Sequence, residues 1–169
     1  MHRPSNVDNS EILGKLITAI NDIAADVPVI FPCHPRTRKQ IEIFGLQQLF
    51  KTFTGDPIRN GIYLYGPLGY NDFLYLWKNA AGVITDSGGL QEETTAIGIP
   101  CITIRENTER PITTEQGTNV LVGTDTVKLK SEVRRILGGE FTEGRVPDKW
   151  DGKASERIVS ILSGFAYGK

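Results

Sequence analysis

Short, almost wholly apolar runs alternate along this chain with stretches whose apolar residues recur at helical spacing. That alternation constrains the fold more than any other feature. Residues 27–32, 62–65, 83–85, 101–104 and 120–122 read as strands that are apolar on both sides. Residues 10–25, 36–44, 70–80, 90–97 and 126–137 read as helices, with 153–162 as a closing helix. In the first helix Ser10 is the expected cap, and Ile12, Leu13, Leu16, Ile17, Ile20 and Ile23 share one face. Residues 46–53 are expected to add a helical turn before a Gly55-Asp56-Pro57 loop, and residues 138–151 to form a loop. Strands without polar alternation are the kind that helices cover on both faces, so the expected class is α/β with a parallel sheet.

A chain of 169 residues is one domain of common size, long enough to bury a full core. Its net charge of −1 gives no electrostatic reason to expect nucleic acid or a membrane surface as partner. No apolar stretch approaches the roughly 18 residues of a membrane span, and no leader is visible, so a cytoplasmic protein is expected. With only 2 histidines a histidine-rich metal site is not available, and neither metal nor cofactor is expected. Cys33 and Cys101 sit in or beside expected strands and read as buried free thiols, a bridge between them being the alternative. Three phosphate and nucleophile signatures are missing: G-x-G-x-x-G with its later acid, the P-loop lysine motif, and G-x-S-x-G.

In parallel sheets ligands gather beyond the carboxyl ends of the strands. His34, residues 67–73, Ser87 and Arg110 all follow expected strands, so they belong on one rim. The run G-V-I-T-D-S-G-G-L-Q-E-E (82–93) is the most informative of these. Ser87, Gly88 and Gly89 place a hydroxyl and bare amides at a helix start, where the dipole adds roughly half a positive charge. Glu92 and Glu93 point about 100 degrees apart on a helix, so one of them faces a ligand. Glu93, one turn beyond Gly89, is positioned to accept hydrogen bonds from a sugar diol. The plainer reading is an ordinary turn with two glutamates complementing the dipole.

Arg110 precedes Pro111, with Arg105 nearer the strand, and a guanidinium there can clamp a phosphate or sugar hydroxyls. A salt bridge from Arg110 to Glu109 or Glu106 is the alternative. His34 lies between prolines in F-P-C-H-P-R-T, with satisfaction by backbone carbonyls as its plainer role. His2 and Arg3 open the chain and by themselves read as solvated. Phe73 starts an aromatic-rich helix, and residues 66–70, around Leu68, offer backbone to a base edge.

Taken together, H-R-P-S-N-V-D (2–8), F-P-C-H-P-R-T (31–37), Y-G-P-L-G-Y-N-D-F (65–73), T-D-S-G-G-L-Q-E-E (85–93), G-I-P-C (98–101) and R-E-N-T-E-R-P (105–111) resemble the UDP-N-acetylglucosamine 2-epimerase family. G-T-N-V-L-V-G (117–123) and W-D-G-K-A-S-E-R-I (150–158) fit as well, so the resemblance covers essentially the whole chain. It implies two Rossmann-like, doubly wound halves in a GT-B-like architecture. Residues 1–169 would be the carboxyl-terminal half, a single UDP-binding domain. By motif match, Ser87, Gly88 and Gly89 would hold the diphosphate and Glu93 the ribose, while Phe73 and the backbone near Leu68 frame the uracil. Arg110 would reach the phosphate or sugar, and His2 matches the functional histidine near the scissile C1–O bond. Arg3 and His34 match positions that contact a second, regulatory UDP-GlcNAc in some bacterial members, although H-P-R-T departs from their H-L-N-P.

The implied reaction converts UDP-GlcNAc to UDP-ManNAc by elimination and re-addition of UDP. The carboxylates for proton transfer at C2 would lie in an amino-terminal domain, so this chain alone is expected to bind UDP weakly and not to turn over. A buried strand should lead into the opening H-R, so its absence here implies a larger parent, a rearrangement or pairing with a second copy as a homodimer. A hydrolysing relative that releases ManNAc, a split glycosyltransferase half and a stand-alone UDP-sugar sensor are the competing readings.

Overall fold

The computed structural model describes residues 1–55, 58–141 and 144–167. Helices α1 (Pro4–Val7) and α2 (Ser10–Ile23) lead into β1 (Pro28–Pro32), α3 (Pro35–Ile43), a 3-10 turn (Gln47–Leu49), β2 (Phe50–Lys51) and β3 (Gly61–Tyr65). The second part runs α4 (Tyr70–Lys78), β4 (Val83–Thr85), α5 (Gly88–Ile97), β5 (Cys101–Thr103), α6 (Ile112–Glu115), β6 (Asn119–Leu121), α7 (Thr126–Leu137) and α8 (Ala154–Tyr167). The class is α/β and Rossmann-like, and the pairings β1–β3, β2–β3, β4–β5 and β5–β6 are all parallel.

The strands do not form one continuous sheet. They make two three-stranded sheets, ordered β1-β3-β2 and β4-β5-β6. Among the described residues no strand lies between β1 and β4, so each of these pairs on one side only.

The α2 stripe behaves as its spacing predicts: Leu13, Leu16, Ile17, Ile20 and Ile23 are buried. Complete burial of such a side chain contributes roughly 1.5–3 kcal/mol, so this face anchors the core. Ile41, Ile62, Ile102, Ile104, Val122, Leu129 and Val133 complete it. By contrast α8 leaves Ile158, Val159, Ile161, Leu162 and Phe165 exposed.

Several local expectations change. Asn9, not Ser10, caps α2, its side chain accepting from the amides of Glu11 (2.9 Å) and Ile12 (3.0 Å). Residues 46–53 are not helical beyond the 3-10 turn, because Phe50 joins β3 in register with Ile62 and packs edge-on against Phe31 at 5.8 Å. Asp56 and Pro57 of the expected loop, with Thr142 and Glu143 of the later one, lie outside the described residues. The short helices α1 and α6 were not anticipated. A proline stands at the start of each, Pro4 and Pro111, where its fixed φ suits a first turn. Gly98 ends α5 at φ 77, a left-handed position that favours glycine. Cys33 and Cys101 are buried free thiols, and burial pushes Cys101 up to about 11.

Candidate functional site

Because β1, β3, β4 and β5 run parallel within their sheets, the segments that follow them form a rim at their carboxyl ends. The centre of that rim is the start of α5. Ser87 is its N-cap, and the Ser87 hydroxyl makes no cap bond, so the first-turn amides have no side-chain acceptor. A Cβ added at Gly88 or Gly89 would meet nothing within 4 Å. No packing among the described residues requires these glycines. They leave bare amides facing open space at the positive end of a helix dipole.

A buried polar network holds this turn in place. The Ser87 amide donates to Thr85 Oγ1 (3.0 Å), and its carbonyl accepts from Gln91 Nε2 (3.2 Å). Gln91 Oε1 accepts from Thr108 Oγ1 (2.6 Å) and Asn119 Nδ2 (3.2 Å). Asn119 also donates to Thr113 Oγ1 (3.1 Å) and accepts from Thr103 Oγ1 (2.6 Å). The glycine turn, the loop after β5 and strand β6 are thereby fixed to one another. Gln91, Thr103, Thr113 and Asn119 were not identified from the sequence. Their one signal was polar side chains set inside otherwise apolar strand and helix faces.

Asp86 is the other residue that sequence reasoning missed. Its side chain is fully buried at the end of β4. It accepts from the backbone amides of His2 (2.9 Å) and Arg3 (2.9 Å) and from Asn6 Nδ2 (3.3 Å), and its Oδ1 lies 3.3 Å from His2 Nδ1. Burial pushes the carboxyl up, but the Met1 ammonium, the Arg3 and His2 amides and the His2 ring outweigh it, leaving the group below its ordinary value. His2 is therefore not a freely solvated terminal residue. Its backbone is stapled to β4 and its ring backed by a carboxylate.

His34 stands 5.7 Å from His2, ring centre to ring centre. It caps α3, with Nδ1 accepting from the Arg36 amide (3.2 Å). That bond comes from an amide donor, not from the carbonyl partners expected. Arg3, next to His2 in the chain, is half-buried.

Arg110 is exposed and pairs through Nε with Glu92 Oε1 at 2.9 Å. The expected carboxylate partners do not apply to it. Glu109 belongs to Arg105, at 2.6 and 2.7 Å, and this pairing holds Glu109 down at about 2. Glu106 accepts from the Thr124 amide (3.2 Å). With Glu92 turned to Arg110, the adjacent Glu93 is half-buried on α5. Leu68 is half-buried in the connection between β3 and α4. Phe73, on α4, lines an apolar cavity of about 450 Å³ beside β1 and β4.

Among the described residues no group of three or more His, Cys, Asp or Glu side chains could hold a metal. No helix among them is long and apolar enough to cross a membrane. Bare amides at a helix start are of the kind that suits an anion, and the residue before Ser87, Asp86, is the one that holds the His2 ring.

Comparison with known proteins identifies the family. Residues 1–163 match the family described as UDP-N-acetylglucosamine 2-epimerase. A UDP-N-acetylglucosamine 2-epimerase of Methanocaldococcus jannaschii is 41% identical over 176 residues, covering 100% of this chain and 44% of that protein. One from Methanococcus maripaludis is 40% identical, covering 97% and 43%. A crystal structure of the Methanocaldococcus jannaschii enzyme in complex with UDP-GlcNAc and UDP superposes with a TM-score of 0.80, over 96% of this chain and 43% of that one. The chain thus spans less than half the length of these relatives.

Proposed function

The chain belongs to the UDP-N-acetylglucosamine 2-epimerase family, and from that premise we propose that it is the carboxyl-terminal, UDP-binding domain of an isomerase interconverting UDP-GlcNAc and UDP-ManNAc. Ser87, Gly88 and Gly89 hold the diphosphate, and Glu93 takes the ribose hydroxyls. Phe73 and the backbone near Leu68 frame the uracil. Arg110 exchanges its exposed pair with Glu92, a type of contact worth little in water, for the phosphate or sugar. His2, backed by Asp86 at Nδ1, presents Nε2 to the C1–O bond. Arg3 and His34 lie beside it as further substrate or regulatory contacts.

Elimination of UDP develops negative charge on the departing diphosphate. Donors fixed before the reaction stabilise that charge without reorganising, which is the part of the catalysis assigned to this domain. The carboxylates that move the C2 proton come from an amino-terminal domain supplied by the longer polypeptide. We assign the protein to the cytoplasm, where it serves cell-surface polysaccharide synthesis.

One observation carries this reading: the uncapped start of α5, with two glycines over open space. Calorimetry tests it, with UDP expected to bind more tightly than UMP or ADP. In Ser87→Ala/Glu93→Ala, loss of charge-assisted hydrogen bonds should cost roughly 1.5–3 kcal/mol each. Unchanged UDP affinity in that variant would refute the pocket. NMR of the products made by the two-domain polypeptide separates epimerisation, which yields UDP-ManNAc, from hydrolysis, which yields free ManNAc.

A further inference from the structure

We infer that Glu92 is a built-in competitor for the diphosphate: it holds the Arg110 guanidinium, yields it to the ligand, and so limits how tightly the nucleotide is bound. This rests on the nucleotide pocket proposed above and adds a positioning residue to it, one that acts through Arg110.

Arg110 combines a fixed backbone with an exchangeable side chain. Its amide donates to Thr108 Oγ1 (2.9 Å), and its carbonyl accepts from the hydroxyl (2.7 Å) and amide (3.0 Å) of Thr113. Thr108 in turn donates to Gln91 Oε1 (2.6 Å), and Thr113 Oγ1 accepts from Asn119 Nδ2 (3.1 Å). Gln91, Thr113 and Asn119 are buried, so the pivot of the Arg110 side chain is fixed relative to α5. The guanidinium is held more loosely. Nε pairs with Glu92 Oε1 at 2.9 Å, and Nη1 donates to the Glu109 carbonyl at 3.2 Å. The side chains of Arg110 and Glu92 are 45% and 40% exposed, so water competes for both charges and the pair exchanges readily.

Glu92 lies four residues after Gly88 and three after Gly89, so all three share one face of α5. Helical side chains lean toward the helix start, which tilts the Glu92 carboxylate toward the bare amides. The pair thus keeps Arg110 on the face where the diphosphate is assigned. Two anions contend there for one cation. A phosphate takes the guanidinium in a shorter, bidentate bond and leaves the Glu92 charge unneutralised one turn away. The net attraction is therefore the phosphate bond less the Glu92 pair, reduced again by repulsion from the freed carboxylate. Such competition acts mostly on the rate of departure, which suits a domain that must release a nucleotide-sugar product.

Calorimetry on the 169-residue chain, with UDP and uridine as probes, tests this. Glu92→Gln should tighten UDP by about two- to fivefold, the range that an exposed pair allows. Uridine, which carries no phosphate, should bind as before. In an Arg110→Ala background the same substitution should keep less than half of that gain. A larger remaining gain makes Glu92 a plain repulsive charge and overturns the exchange. Unchanged or weaker UDP binding in Glu92→Gln overturns it as well, the weaker result showing that Glu92 serves the site by aiming Arg110. A parallel change for uridine and UDP also overturns it, since a structural disturbance of α5 produces that pattern. Failure of the pocket itself reads differently: the wild-type chain would not prefer UDP to uridine, and both proposals would fall. With that preference intact, loss of the Glu92 effect removes the competition alone.

Discussion

The β4-β5-β6 half and the β1-β3-β2 half share a βα plan but are held together by different forces. Inside the first, Gln91, Asn119, Thr103 and Thr113 form a buried hydrogen-bonded web around the start of α5. Inside the second, Phe31, Cys33, Ile41 and Ile62 make an apolar filling, with Thr37 as its buried polar partner to Met1. Apolar burial is strong but has no direction, whereas hydrogen bonds fix orientation. The half that contains the web is the half that carries the proposed diphosphate site at the start of α5.

The largest test of this contrast falls on Asp86, which joins the chain's opening to β4. Asp86→Ala removes a buried carboxylate that three donors share, the amides of His2 and Arg3 and the buried Asn6 side chain, and should cost about 3–5 kcal/mol in urea unfolding. Folding lowers the Asp86 pKa, so its contribution is complete above the ordinary carboxylate range and is lost as pH falls through the folded value. Thermal melts between pH 7 and 3 should therefore show a drop in midpoint below about pH 4 that Asp86→Asn flattens. Next comes Gln91→Leu, which removes the bonds Gln91 makes to Thr108, Asn119 and the Ser87 carbonyl and should cost about 1–3 kcal/mol. It should also weaken UDP binding in calorimetry. Ile41→Val in the other half should cost about 0.5–1.5 kcal/mol and leave UDP affinity alone. Equal effects of these two on UDP would break the comparison. The smallest change in stability belongs to Arg110→Ala, about 0–1 kcal/mol for an exposed pair, although UDP affinity should fall.

Much of the fold was legible because periodicity reports burial directly. The stripe of α2 and the strands Val83–Thr85 and Cys101–Thr103 follow from apolar spacing alone. The glycine turn was legible too, since Ser87-Gly88-Gly89 interrupts a strand-to-helix junction. What stayed hidden depends on partners distant in sequence. Asp86 and His2 meet across 84 positions, and Gln91 and Asn119 across 28, with no local pattern to announce either contact. Phe50 entered a strand because Phe31 and Ile62 receive it, a tertiary preference that outweighed local helical spacing. The separation of the half-sheets is a property of strand order, which residue spacing does not encode; the family resemblance, with its buried strand before the H-R motif, is what raised it.

The two cysteines have a practical consequence. Cys33 and Cys101 are each almost completely covered, and burial holds both thiols in the protonated form that reacts slowly with maleimides. The protein is therefore a quiet background for fluorophores or spin labels. A new cysteine placed on an exposed face can be tagged selectively, leaving the native sulfurs untouched.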